Sequence, residues 1–347
     1  MGGIKQALFS AGVAPLGACR FKRKSGTCLP CSELLERILE FKEQPMNQIC
    51  FKLKPVPPFR LDLTVWVLRR RADNLWDRWD GITYQRLLAL KENALEITVT
   101  QNGPPADPEL TITAAGVGKK SDLKAMATAN LKRMLGLQID LKEFYSRSGL
   151  DDTLNPLVQK FVGLKPPLYP TVYEALVNAI TCQQFTLTAG IRLLNRLVTN
   201  WGITLKGKEN SPHAFPRPAD LAGLEVEALR ELGFSRQKAL ALISLSRKIV
   251  DGELDLEELT SLSDASAMQS LTELRGVGRW TAEYVLLRAL GRVHIFPGDD
   301  VGVRNHLQRW LNLEGPMDYE SVQRTLSRWE PYGGLIYFHL LLNNLGI

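Results

Sequence analysis

Residues 276–304, "GVGRWTAEYVLLRALGRVHIFPGDDVGVR", hold two glycines around a valine, two aromatics one helical turn apart, and two adjacent acids beyond a Pro-Gly turn. Gly276 and Gly278, on either side of Val277, let backbone N–H groups approach a phosphate with no Cβ in the way. A helix starting at Arg279 would add partial positive charge at its N-terminus. A tight helix-helix turn needs such glycines for structural reasons too, so the turn by itself leaves both readings open. Asp299 and Asp300 follow Trp280 by about 20 residues, across one helix and the short return "VHIFPG", which allows hairpin and acids to share a cleft. A new apolar stripe (Val303, Leu307, Trp310) starts beside them. One acid can cap that helix, which leaves the other for charge stabilisation or proton transfer.

The elements that must position these residues fall into three stretches. Residues 1–45 are irregular and basic, with one helical pattern ("SELLERILEFKEQ"), and read as a flexible leader or as preceding the true translation start near Met46. From 46 to about 145 the period is mostly two. "FRLDLTVWV", "RLLAL", "ALEITVTQ" and "ELTITAAGV" read as strands, "NGPPADP" as a turn, and "SDLKAMATANLKRMLGL" as a helix capped by its serine. From 146 to 347 the apolar residues recur at helical spacing, and most segments end at glycine. The fold class is therefore α+β: an N-terminal antiparallel sheet domain with helices, followed by an all-α domain.

Composition narrows the function. The chain has 347 residues, 45% of them hydrophobic, with no apolar run approaching a membrane span, and no export signal opens it. It reads as a soluble, cytoplasmic protein. Lys and Arg total 43 against 37 acids, a net charge of +6, which suits a polyanionic partner without proving one. Five cysteines in a chain without a signal peptide argue against a disulfide framework. Cys28 and Cys31 have metal-ligand spacing, but no second pair completes a tetrahedral site. The four histidines are scattered, and neither a catalytic metal nor a cofactor is expected.

At this point the chain resembles the helix-hairpin-helix DNA glycosylases. The matching segments are "LRGVGRWTAEYVLLRAL", "FPGDDVGVRNHL", "AITCQQFTLTAG" and "LGFSRQKALAL", and they cover about 150–347. The sheet region is similar to the TBP-like N-terminal domain of the bacterial 3-methyladenine DNA glycosylase II branch. Bifunctional members of the superfamily carry a lysine nucleophile two residues beyond the second hairpin glycine, where this chain has Trp280. An indole cannot form a Schiff base with the sugar. Members with a four-cysteine iron-sulfur loop carry it near the C-terminus, and no cysteine follows Cys182 here.

The resemblance implies a monofunctional glycosylase of base excision repair. It would act as a monomer on double-stranded DNA and release alkylated bases such as 3-methyladenine. Asp300 matches the family's catalytic aspartate, and Asp299 supports it or caps the helix. Trp280 and Tyr284 match base-pocket aromatics, although a packed core pair is the commoner fate of aromatics at that spacing. Gly276, Val277, Gly278 and Arg279 are expected to hold DNA, and Gln184 to fill the gap left by a flipped base. The carbonyls of Thr272, Leu274 and Val277 are expected to hold a structural alkali-metal ion. Gln184 is polar where the branch has an apolar wedge, and Val301, Leu341 and Leu342 are aliphatic where it has aromatics. Two alternatives remain. A lyase acting on oxidised bases would need a pocket lysine, for which Lys238 in "SRQKA" is the nearest candidate, though a solvated turn or a phosphate contact fits it better. A non-catalytic DNA-binding module would need neither acid.

Overall fold

The computed structural model describes residues 46–90, 93–205 and 212–345. The expected leader, with Cys28, Cys31 and the "SELLERILEFKEQ" pattern, lies outside the described residues.

Five strands form one antiparallel sheet: β1 (Met46–Leu53), β2 (Arg78–Trp79), β3 (Thr83–Ala89), β4 (Ala94–Asn102) and β5 (Glu109–Val117), in the order β1-β5-β4-β3-β2. The register pairs Met46 with Val117 and Thr83 with Thr100, so the first strand closes against the last. In β5, Leu110, Ile112 and Ala114 point to the core and alternate with partly exposed residues, as one-sided burial requires.

"FRLDLTVWV" is not a strand. It forms α1 (Leu61–Arg69), and the reason lies in its surroundings. Leu61, Val65 and Leu68 pack on the sheet, while Leu63 and Val67 pack against the C-terminal helices. A helix buried on two faces shows apolar residues at alternate positions, which mimics a strand's period. The helix ends at Arg70, whose φ of 62° is left-handed.

Across the sheet lies α2 (Lys120–Met134), which buries Leu123, Ala127, Leu131 and Met134. Its N-cap is Lys119 rather than the expected serine, and the Ser121 hydroxyl bonds the Asp122 carboxylate instead.

The helical region follows: α3 (Lys142–Ser148), α4 (Leu154–Lys160), α5 (Val172–Cys182), α6 (Leu187–Trp201), α7 (Pro218–Ala222), α8 (Val226–Glu231), α9 (Arg236–Val250), α10 (Asp264–Thr272), α11 (Arg279–Arg288), α12 (Val301–Trp310), α13 (Tyr319–Leu326) and α14 (Gly333–Leu345). Helix α5 is apolar nearly all round and runs through the core, capped by Thr171, whose hydroxyl accepts the Glu174 amide. The continuous pattern over 170–202 breaks at Gln183, and Thr186 caps α6 in the same way. Sheet and helices belong to one compact unit. A buried charge cluster links them: Arg86 of β3 reaches Asp77 at 2.6 Å and Glu174 of α5 at 2.5 Å. Tyr84 donates to the same Asp77 at 2.6 Å. One guanidinium serves two carboxylates, so loss of Arg86 would strand both buried acids.

Candidate active site at the hairpin and the loop that follows

Helix α10 stops at Thr272, two residues before the expected Leu274. Gly276 takes a φ of +79°, the left-handed region that favours glycine, and a Cβ there would stand 3.0 Å from the Ala241 methyl. Val277 is buried and donates its amide to the Leu274 carbonyl at 3.1 Å. Gly278 is the N-cap of α11 and brings no side-chain acceptor, and nothing lies within 4 Å of where its Cβ would be. The first amides of α11 are thus left to an external acceptor, beside an open space. The turn's hydrogen bonds leave the carbonyls of Thr272 and Val277 without a donor among the described residues, while that of Leu274 takes one. Three neutral oxygens of this kind suit a hard alkali cation.

The loop between α5 and α6 is tied to this turn by a residue that sequence reasoning passed over. Gln183 donates from Nε2 to the Gly276 carbonyl and to the Thr281 hydroxyl, both at 2.8 Å. With Gln183 fixed, Gln184 is exposed in a left-handed conformation, φ 56°. Beside it the exposed Phe185 ring lies 3.7 Å from the Lys238 ammonium. Lys238 is neither a solvated turn residue nor a free amine. It donates to the carbonyls of Thr181 at 2.8 Å and Gln183 at 2.7 Å, which holds the loop from beneath.

The acidic pair divides its work differently from the sequence expectation. Asp300, not Asp299, caps α12: its Oδ1 accepts the Val303 amide at 3.1 Å. The same carboxylate presents Oδ2 to the Tyr337 hydroxyl at 3.0 Å and to the Trp280 indole N–H at 3.4 Å. Asp299 caps nothing and binds Arg279 Nε at 2.7 Å. The Arg279 guanidinium also lies 3.8 Å from the Tyr319 ring centre. Tyr319 in turn donates to Glu283 at 2.6 Å, and burial pushes the Glu283 carboxyl above its ordinary range. A Cβ on Gly298 would fall 2.8 Å from the Tyr319 ring, so the Pro-Gly turn before the acids fits directly against this network.

Trp280 is half-buried and tilts 36° over Tyr284 at 5.6 Å. Tyr284 is buried, and its hydroxyl bonds that of Tyr169 at 2.9 Å. The expected aromatic pair therefore belongs to a larger group that includes Tyr169 and Tyr337. Burial, and then the Asp300 carboxylate, hold the Tyr337 phenol well above its ordinary pKa, so it remains a donor at any working pH. Of the aliphatic positions, Val301 is exposed and Leu342 is buried in the core. Tyr337 stands one turn before Leu341 and brings an aromatic to the acid from the same helix.

A family model described as HhH-GPD superfamily base excision DNA repair protein matches residues 177–331, which hold the second half of α5, the Gln183–Gln184 loop, the hairpin and both acids. The chain belongs to the HhH-GPD superfamily. DNA-3-methyladenine glycosylase 2 of Escherichia coli is 26% identical over 290 residues, covering 82% of this chain and 94% of that protein. The Bacillus subtilis protein YfjP is 32% identical over 180 residues, or 52% of this chain, and that match spans only 61% of its own length. The 3-methyladenine DNA glycosylase structure from Archaeoglobus fulgidus superposes with a TM-score of 0.73 at 27% identity, over 84% of this chain and 97% of that one.

Within this HhH-GPD chain, then, the structure brings Trp280 and Tyr337 to one oxygen of Asp300, stacks Tyr284 on Trp280, and pairs Asp299 with Arg279. Gly276, Val277 and Gly278 form the turn, and Gln184 projects from the loop bonded to it. Sequence reasoning missed Gln183, Tyr169 and Tyr337. Gln183 is adjacent to a residue it singled out, whereas the tyrosines lie over a hundred and over fifty residues from Tyr284, in segments with no polar signature of their own.

Proposed function

We propose that this protein is a monofunctional DNA glycosylase of base excision repair that acts as a monomer on double-stranded DNA and hydrolyses the N-glycosidic bond of alkylated bases such as 3-methyladenine. The observation that carries this reading is the Asp300 carboxylate, oriented by three donors beside an aromatic cluster, with no amine available where a lyase needs one. Trp280 stands at the lysine's position, and the Lys238 ammonium is committed to two carbonyls. What the names of the relatives say of those proteins supports the same reading.

In this reading the amides at the start of α11 hold a backbone phosphate, and the Thr272, Leu274 and Val277 carbonyls would hold an alkali ion that lends the turn positive charge. The target nucleotide leaves the stack, Gln184 enters the gap, and the base lies against Trp280. As the bond from C1′ to the base lengthens, the base keeps both electrons and the sugar gains oxocarbenium character. The Asp300 charge stabilises that cation. Water adds to C1′ and releases a proton, leaving an abasic deoxyribose and a free base. An alkylated purine is already cationic and departs neutral, so no strong general acid is required.

The test is incubation with methylated duplex DNA, with and without alkali. Free base and strands that break only after alkali are expected. Strand cleavage without alkali would support a lyase, and binding without base release would support a DNA-binding module.

A further inference from the structure

Two arginines flank the hairpin turn. Arg275 is exposed and donates from Nη2 to Gln237 Oε1 at 3.2 Å. Arg279, the first residue of α11, is held on two sides instead: Nε donates to Asp299 at 2.7 Å, and the guanidinium carbon lies 3.8 Å from the Tyr319 ring centre. Its side chain is 51% exposed, and neither Nη has a hydrogen-bond partner among the described residues. One edge and one face of the guanidinium are therefore fixed, and the fork of its two Nη groups is left over. A fork of that shape fits two oxygens of a phosphodiester.

The first turn of a helix is where the dipole disfavours a cation, and fixing a long side chain costs rotamer entropy. A single bond to Asp299 would still let the guanidinium plane rotate. The Tyr319 ring against its face removes that freedom. Tyr319 is itself held from three directions. It is the first residue of α13, whose N-cap Asp318 accepts the Ser321 amide at 2.8 Å and whose Val322 and Leu326 are buried. Gly298 makes room for the ring, since a Cβ there would stand 2.8 Å from it. The hydroxyl donates at 2.6 Å to Glu283, one turn beyond Arg279 on α11. Glu283 is 4% exposed, and its Oε2 has no hydrogen-bond partner. A carboxyl so buried, with one side-chain partner, is a cost that packing alone does not explain. Anchoring the Tyr319 ring beside Arg279 does.

We propose that Tyr319 is a positioning residue for DNA binding: its ring, anchored by Glu283, holds the Arg279 guanidinium so that the Nη edge takes a phosphodiester of the DNA backbone while Nε keeps Asp299. This rests on the phosphate site at the start of α11 in the reading above.

The experiment measures affinity for an undamaged duplex across a salt series, for the parent, Arg279→Met, Tyr319→Leu, Tyr319→Phe and the double variant Arg279→Met/Tyr319→Leu. Arg279→Met removes one phosphate contact. Its affinity at low salt should fall roughly tenfold, and the slope of log affinity against log salt should become shallower by about 0.9. Tyr319→Leu alters no charge, yet should show most of both changes. Tyr319→Phe, which keeps the ring without its anchor, should fall between Tyr319→Leu and the parent. A partly unfolded sample loses the same factor at every salt concentration, so instability alone leaves the slope unchanged. Adding Tyr319→Leu to Arg279→Met should cost little more, because both act through one contact. A parental slope in Tyr319→Leu would show that the ring serves only the packing of α13 on α11 and would overturn the proposal. Losses that add in the double variant would overturn it too, as would a parental slope in Arg279→Met. No base release is measured, so the outcome judges Tyr319 even if methylated duplex yields no free base, which would be the failure of the glycosylase reading.

Discussion

Tyr337 of α14 donates its hydroxyl to Oδ2 of Asp300 at 3.0 Å, while Oδ1 of the same carboxylate accepts the Val303 amide. One acid thus serves as helix cap and as the charge presented to the aromatic cluster. The cap fixes the side-chain rotamer, and Tyr337 fixes the rotation of the carboxylate plane. Neither contact resides in the hairpin, so the two halves of the site are built by separate segments and meet at Trp280.

Replacing Tyr337 by Phe removes the shorter of the two donors to Oδ2 and keeps the ring. A neutral hydrogen-bond donor to a charged group is worth about 1.5–3 kcal/mol, so single-turnover excision should fall roughly tenfold or more. Affinity for lesion-bearing duplex should stay within about twofold of the parent, because positioning rather than binding is lost. An excision rate equal to the parent's would remove Tyr337 from the account.

Gly278 separates DNA binding from stability. An aspartate there meets no protein atom and supplies the cap that α11 lacks, so Gly278→Asp should leave the melting temperature unchanged or raise it. The same substitution puts a negative charge where a phosphate is expected, and affinity for undamaged duplex at low salt should fall at least about tenfold. Gly278→Ala should bind more tightly than Gly278→Asp despite losing the aspartate's capping benefit. A Gly278→Asp protein that binds duplex like the parent would contradict the phosphate assignment.

His339, buried between Phe144 and Phe161, donates Nδ1–H to the Leu335 carbonyl, and burial pulls its pKa down from 6.5 to about 4. The neutral ring is favoured in the folded protein. Its contribution to stability is complete above pH 6.5 and is lost as pH falls toward and below 4. A shift of this size corresponds to about 3 kcal/mol between pH 8 and pH 4. Urea unfolding at the two values should show His339→Leu losing less stability on acidification than the parent by about that amount, and equal losses would count against it.

The hairpin, the acids and Trp280 were legible because each is a local signal: paired glycines, a Pro-Gly turn, aromatics at helical spacing. Which acid caps α12 was not legible. An apolar stripe locates a helix start only to within a residue or two, and Asp299 and Asp300 differ by one. The α1 segment read as a strand because burial on two faces erased the helical period. Tyr169 and Tyr337 reach the site through tertiary packing, from segments whose own sequence has only core character.

The central claim is that Asp300 supplies charge to the transition state. Asp300→Asn keeps an acceptor for the Val303 amide, since asparagine caps helices as well as aspartate does, so the fold should persist. Asp299→Asn instead weakens a half-exposed pair with Arg279 and should cost far less activity. The decisive measurement is single-turnover release of a methylated base by Asp300→Asn, beside its affinity for the same duplex. The account predicts release slowed by orders of magnitude with binding retained or tightened. Release at the parent rate by an Asp300→Asn protein of normal melting temperature would contradict it.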